Sequence, residues 1–445
     1  MSSGIDTGDT AWMLTSCIVV LMMNTPGLAI YFGGFARYKN VLSVIMQTFS
    51  VIAVVTFAYL TFGYSLAFSP ANADTRGNSV IGDHQRFWLI GIEIDGVHSN
   101  APHVPESVFC LFQLTFAIVT AALVSGSFEG KAKYGPMLLF LFLWHLVVYC
   151  PIAYWSWHRD GFLHKIGVLD FAGGNVVHIS SGWAGFIATL VLGNRKVFGN
   201  EKLGPHNIPM VLLGTSMLWI GWFGFNGGSA TTSGASASMS VLVTHLAASM
   251  ALLSWSFTEF ALTGKHTVLG MVRGAISGLI AITPASGYVD PNGGIFIGII
   301  SGLVCCLSMQ IKIYYNIDDA VDSLGVHVIG GSVGGLLTSF FARRSISSHL
   351  PTDGIFYNHN VKEGGRFFAI QLYGIVICSL WSIVCTYLLL KMTDYLFQMR
   401  VSENKEKEGL DKKMHGEYGN IDFMVELSKA NFLTLDNSNE GIPGL

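Results

Sequence analysis

Residues 170–185 read DFAGGNVVHISSGWAG and residues 321–335 read VDSLGVHVIGGSVGG. Each stretch sets a histidine in an apolar run with glycines four and seven residues later: His178 with Gly182 and Gly185, His327 with Gly331 and Gly334. Each histidine also follows an acidic residue, Asp170 in the first stretch and Asp322 in the second. Positions +4 and +7 lie on the histidine's own face of a helix, and glycine there lets another backbone come close. An ionisable side chain inside a membrane segment is costly, so it faces a cavity or a partner and marks a pathway. Two copies roughly 150 residues apart point to a duplicated chain whose halves each give one imidazole to a shared site.

The surrounding sequence supplies the membrane. The chain has 445 residues, of which 51% are hydrophobic and 12% charged, about half the charge content of a soluble protein. Crossing a bilayer takes about 20 apolar residues. Eleven runs approach or exceed that length, roughly 10–35, 43–68, 106–128, 134–155, 170–193, 206–229, 238–262, 268–288, 293–315, 325–342 and 367–397. Only hydrogen-bonded helices or closed barrels satisfy their backbone in lipid, and barrel strands would show short alternating segments instead. The expected fold is an all-α membrane protein of eleven transmembrane helices. If spans 1–5 and 6–10 are the repeats, each has an odd number of helices, so the second inserts upside down and a long eleventh helix is left over. His178 in span 5 and His327 in span 10 then hold matching positions near their helix starts. Antiparallel halves bring the two rings together only if the helices cross near those ends or bend.

Basic residues in the loops set the orientation. Loops after odd spans carry Arg37, Lys39, Lys131, Lys133, Arg195, Lys196, Lys202, Lys265 and Lys312. Loops after even spans carry Arg76, Arg86, Arg159 and Lys165, with Arg343, Arg344, Lys362 and Arg366 in the last. The balance places the N-terminus outside and the C-terminal tail in the cytoplasm, in a plasma membrane. The first ten residues lack a basic segment, so no cleaved signal peptide is expected. The seven cysteines (Cys17, Cys110, Cys150, Cys305, Cys306, Cys378, Cys385) lie in or beside apolar spans without metal-site or disulfide spacing, and read as small hydrophobes. No metal, cofactor or nucleic acid is implied, and no nucleophile–base constellation or phosphate loop suggests an enzyme. Two polar parts remain: a loop near 69–105 and a tail at 398–445, after a transmembrane domain spanning 1–397.

Several further stretches carry a resemblance. They are NTPGLAIYFGGFARYKN in span 1, FQLTFA in span 3, LDFAGGNVVH in span 5, MLWIGWFGFNGGS in span 6, TPASGY after span 8, DDAVDSLGVHVIGG into span 10 and EGLDKKMHGE in the tail. In this order, over nearly the whole chain, they resemble the ammonium transporter family (Amt/Mep/Rh), in its bacterial-type branch. The resemblance implies a homotrimer in which each subunit has its own hydrophobic pore for ammonium or methylammonium. It implies an outer recruiting site of Phe116, Trp157 and Ser229, with Trp155 the alternative if the one-residue-longer loop before Asp170 shifts the register. It implies a gate of Phe116 over Phe225, a pore lined by His178, His327 and Trp222, and a structural carboxylate at Asp170. In the tail, Gly409, Asp411, His415 and Gly416 would form turns that dock under the neighbouring subunit and offer a landing site for a cytoplasmic regulator.

The chemistry fits those residue types. Aromatic faces attract cations by about 0.5–2 kcal/mol, Trp most strongly, and a serine hydroxyl accepts an N–H. Stacked phenyl rings exclude hydrated ions. Inside an apolar lumen an ammonium ion is expected to shed a proton, which neutral imidazoles can pass along. The bland readings are plain too. Any of the 30 phenylalanines is by composition a packing residue, and a lone intramembrane histidine such as His145 or His245 is a packing hydrogen-bonder. Ser229 alone is a helix-end residue and Trp157 an interfacial anchor. Asp170 caps the start of span 5, and Glu259 pairs with a helix end or a basic group. Two other classes compete: a membrane haem protein with two axial histidines, which would show a Soret band, and an ammonium sensor on the same scaffold.

Overall fold

The computed structural model describes residues 4–69, 79–198, 204–419 and 428. Arg76, Lys202 and the tail beyond residue 419, apart from Ser428, lie outside them. Eleven helices form one bundle: α1 (Thr7–Phe35), α2 (Val41–Phe68), α3 (Glu106–Phe128), α4 (Tyr134–Ile166), α5 (Gly174–Leu192), α6 (Ile208–Gly228), α7 (Ala235–Thr263), α8 (Val268–Ile282), α9 (Pro291–Tyr314), α10 (Ser323–Phe341) and α11 (Val361–Phe397). All but α8 are long and apolar enough to cross a membrane, so the chain is an integral membrane protein. Two short strands, β1 (Val97–His98) and β2 (Ala101–Pro105), pair in the loop before α3.

The expected span 8 ran to residue 288, but α8 stops at Ile282 and residues 283–288 form turns. Pro284 cannot continue a helix, and its ring fills the space beside Gly174, where a β-carbon would lie 2.6 Å from it. Span 4 runs further than expected. After a turn at His158–Gly161 it resumes over Phe162–Ile166 and is capped by Gly167 at φ +92°.

The two repeat stretches fold alike. Asp170 stands before α5, and its carboxylate accepts the N–H groups of Gly173, Gly174, Asn175 and Val176 at 2.5–3.2 Å. These are the helix-start donors that have no intrahelical partner. Asp319 does the same before α10, accepting from Ser323 and Leu324 at 3.0 and 3.1 Å. Both aspartates lie eight residues before their histidine, so the mate of Asp170 is Asp319 and not Asp322. Asp322 matches Gly173 instead: each is the left-handed residue preceding its helix, at φ +58° and +115°.

The helices cross at the glycines. A β-carbon on Gly182 would lie 2.8 Å from Val328 N and 2.9 Å from His327 Cβ; one on Gly331 would lie 3.1 Å from Ile179 and 3.2 Å from His178 Cβ. Each histidine's glycine therefore lies against the other histidine's β-carbon. The second repeat closes by similar contacts, with Gly278 and Gly298 abutting the carbonyl of Ala247 and Gly302 that of Ala251. Small residues of this kind let membrane helices approach closely.

Candidate permeation pathway

A cavity of about 460 Å³ opens between the ends of α3, α4 and α6 and the start of α5, lined among others by Gln113, Phe116, Trp157, Asp170, Ser229 and Tyr288. Trp157 is anchored at both ends. Its indole N–H donates to the Asp170 carbonyl at 2.8 Å, and its own carbonyl accepts from Asn100 at 3.1 Å. Its ring stands edge-on to Phe116, centroids 5.6 Å apart. Trp155 points elsewhere: it donates to the Val80 carbonyl at 2.6 Å and packs against Phe162 and Trp381. Ser229 ends α6 with its hydroxyl donating to the Phe225 carbonyl at 2.8 Å, so its lone pairs remain for another donor.

Phe116 closes the cavity floor. It stacks on Phe225 with centroids 4.0 Å apart and planes 13° from parallel, both rings 1% exposed. Immediately below lies His178, 6.3 Å from Phe225, 5.4 Å from the stacked indole of Trp222 and 5.7 Å from His327. The crossing of α5 and α10 thus brings together two rings that are far apart in sequence. Both nitrogens of His178 and Nδ1 of His327 are buried without a protein partner among the described residues. Buried polar atoms normally have a partner, so orphaned imidazole nitrogens in a lumen suit a passing hydrogen-bonding species.

Below the histidines the lumen narrows to about 20 Å³, lined by Leu28, Val119, Leu218, Val326 and other side chains, with Trp222 and His327 at its head. Trp222 is held by a 2.9 Å bond to the Thr283 hydroxyl. A second cavity of about 330 Å³ then opens at the tail end, among Arg37, Arg195, Lys312 and residues 316–320. Wide mouth, stacked rings, paired imidazoles, narrow apolar tube and second mouth follow one another. The haem reading finds no room here: the Trp222 and Phe225 rings flank His178, and the space below the imidazoles is about 20 Å³, far too small for a porphyrin.

A profile of the Ammonium Transporter Family matches residues 11–420. The ammonium transporter of Bacillus subtilis is 42% identical over 419 residues, covering 94% of this chain and 99% of that one. Ammonium transporter 1 of Schizosaccharomyces pombe is 39% identical, covering 98% and 84%. Among solved structures, Mep2 of Candida albicans superposes with a TM-score of 0.83 at 36% identity, covering 90% of this chain and 88% of that chain. The chain belongs to the ammonium transporter family. A structure described as a sensor Amt protein also superposes, with a TM-score of 0.82 at 26% identity, covering 92% and 98%.

In this family member the tail is packed against the loops. Gln398 turns the chain back after α11, and residues 399–401 pair with Lys131–Lys133. A short helix, α12 (Glu403–Glu408), follows. Arg400 donates to the Leu192 and Asn194 carbonyls, and Glu406 accepts the N–H of Lys196. Gly409, at φ +107°, sits against Lys39, where a β-carbon would come within 2.8 Å. Asp411 accepts the N–H groups of Leu42 and Ser43 at 3.1 and 2.8 Å, capping α2. His415 bonds Ser43 at 3.2 Å, and Gly416 closes the turn at φ +70°. These contacts lie within the chain, whose loops are within a few residues' reach of the end of α11.

Other expectations are settled locally. Glu259 accepts from Thr267 at the start of α8. His145 stacks on Tyr149 with Cys150 beside it, and His245 lies against Trp219. The sequence reading passed over Gln113, whose Oε1 is buried in the wide cavity without a partner among the described residues. The FQLTFA motif contains it, but nothing in the motif says that it faces the mouth.

Proposed function

We propose that the chain is an ammonium transporter of the plasma membrane, with residues 1–397 as its transmembrane domain and 398–445 as a cytoplasmic tail. The N-terminus lies outside and the subunits form a homotrimer. Trp157, Phe116 and Ser229 recruit ammonium at the wide mouth, replacing its water with aromatic faces and a hydroxyl acceptor. Gln113 supplies a further acceptor. Phe116 and Phe225 part to admit the dehydrated ion. A unit charge in so apolar a lumen costs on the order of 20 kcal/mol in the Born limit, so the ion gives up its proton, either to water in the wide mouth or along the paired imidazoles, and the neutral amine passes His178 and His327 by hydrogen bonds. Potassium has no proton to lose and is refused. No covalent chemistry is involved, and the chain is not an enzyme. Asp170 holds the start of α5, and through it the mouth, in place. The tail segment around Gly409, Asp411, His415 and Gly416 receives a cytoplasmic regulator.

One observation carries this reading: unpartnered imidazoles directly beneath a stacked phenyl pair, between two open cavities. The test is uptake of labelled methylammonium by purified protein in liposomes, with current recorded on an ammonium jump. Uptake that excludes potassium is expected; liposomes no more permeable than protein-free ones overturn the proposal. The likeness to a sensor Amt protein favours a second reading, an ammonium sensor. It predicts saturable ammonium binding without flux in the same liposomes.

A further inference from the structure

Among the described residues, Arg273 is the only charged one lining the narrow lumen below the histidines, and it also lines the cavity at the tail end. Its guanidinium therefore stands where the tube meets the inner mouth. Nε donates to Asp322 Oδ2 at 2.6 Å, and Lys312 pairs with the other carboxylate oxygen. The partners are unequally placed. The Arg273 side chain is 23% exposed and that of Asp322 3%, and Asp322 lines neither cavity. Asp319, the other carboxylate beside Lys312, is turned to the Ser323 and Leu324 N–H groups. The lumen thus meets the positive end of an ion pair whose negative end is buried behind it. Asp322 also holds the left-handed position that the first repeat gives to Gly173. A side chain is disfavoured there, so the repeat departs from glycine where a carboxylate is needed to hold Arg273.

We infer that Arg273 is a cation filter at the inner end of the pore, passing neutral ammonia while repelling ammonium and potassium ions that enter from the tail side. The filter separates charged species from the neutral amine at this end of the tube, and it rests on the ammonia-conducting reading of the pore. Arg273→Gln removes the charge and keeps a donor for Asp322, while Lys312 still balances that carboxylate. Arg273→Lys keeps the charge.

The test uses proteoliposomes sorted by a tag on the tail into those with tails inside and those with tails outside. Potassium and labelled methylammonium entry are measured from each side, with melting temperature and trimer content as checks on folding. Arg273→Gln should raise potassium entry several-fold from either side and leave methylammonium entry nearly unchanged, and Arg273→Lys should match the wild type. If Arg273→Gln does not fold, Arg273→Met gives the same readout. Methylammonium flux in the wild type with potassium entry unchanged in Arg273→Gln overturns the filter alone; no flux in the wild type overturns the transport reading and the filter together.

Discussion

At Asp170 four backbone N–H groups converge on one carboxylate, and the same residue's carbonyl holds the indole of Trp157. Removing the carboxylate leaves four buried donors unsatisfied, at about 1–3 kcal/mol for each donor that finds no water. Asp170→Ala should therefore lower the melting temperature in detergent well beyond an ordinary surface change, whereas Asp170→Asn, which keeps an acceptor, should lose less. Equal melting temperatures for wild type and Asp170→Ala would remove the structural role. The histidines behave differently. They make no protein hydrogen bond at His178 Nδ1, His178 Nε2 or His327 Nδ1, so His178→Ala and His327→Ala should melt close to the wild type while abolishing methylammonium uptake or admitting potassium. Unchanged uptake and selectivity in both would sink the twin-histidine pathway. Phe225→Ala should widen the tube and loosen selectivity with the trimer intact; dissociation would instead mark Phe225 as a packing residue.

Between elements, the crossing of α5 and α10 does the work that places both rings in one lumen. Gly182→Val puts atoms within 3 Å of the Val328 nitrogen and the His327 β-carbon and must push the helices apart, so both thermal stability and flux should fall. Gly365→Ala, near the start of α11 with nothing around its β-carbon, is the matched control and should be neutral or slightly stabilising. A Gly182→Val protein that transports normally would show that the rings need no such contact. The sequence made this crossing legible because the glycine spacing repeats with each histidine. It did not reveal which acidic residue matches which, since three aspartates (Asp318, Asp319 and Asp322) precede His327 and the hand of a turn is not written in residue type. It hid the end of α8 too, because TPASGY continues the apolar composition while Pro284 breaks the helix. Trp155 and Trp157 were equivalent in sequence; only the turn at His158–Gly161 decides which ring reaches the mouth. Gln113 and Arg273 gave no signal, since lining a cavity depends on the packed bundle and not on local pattern.

For the molecule as a whole, the tail joins what the helices leave separate. It touches the loop before α2, the loop before α4 and the loop after α5, so its docked state couples elements of both mouth-lining groups at the tail end. A mixed-charge run of this kind is usually a solvated segment, yet Asp411 and Glu406 are buried. Burial pushes the Asp411 carboxyl above its ordinary value, and the N–H groups of Ser43 and Leu42 pull it only part of the way back. A docked carboxyl that holds its proton more tightly than the free tail favours docking below about pH 4, and that contribution is lost as pH rises through the raised value. At neutral pH the group is thus retained for its geometry and not for its charge. Asp411→Asn, which still caps α2, should keep the tail docked at least as well as the wild type, whereas Asp411→Ala loses a cap worth about 1 kcal/mol. Hydrogen exchange of residues 403–416 at neutral pH separates the two, and an Asn variant that exchanges as fast as the Ala variant would show that charge holds the tail. Truncation before residue 403 removes all these contacts except those of residues 399–401. The loops then lose Glu406 and Asp411 but the pore keeps its histidines and rings, so uptake at matched expression should fall while the trimer stays assembled. Full uptake by the truncated protein would return the tail to a passive segment.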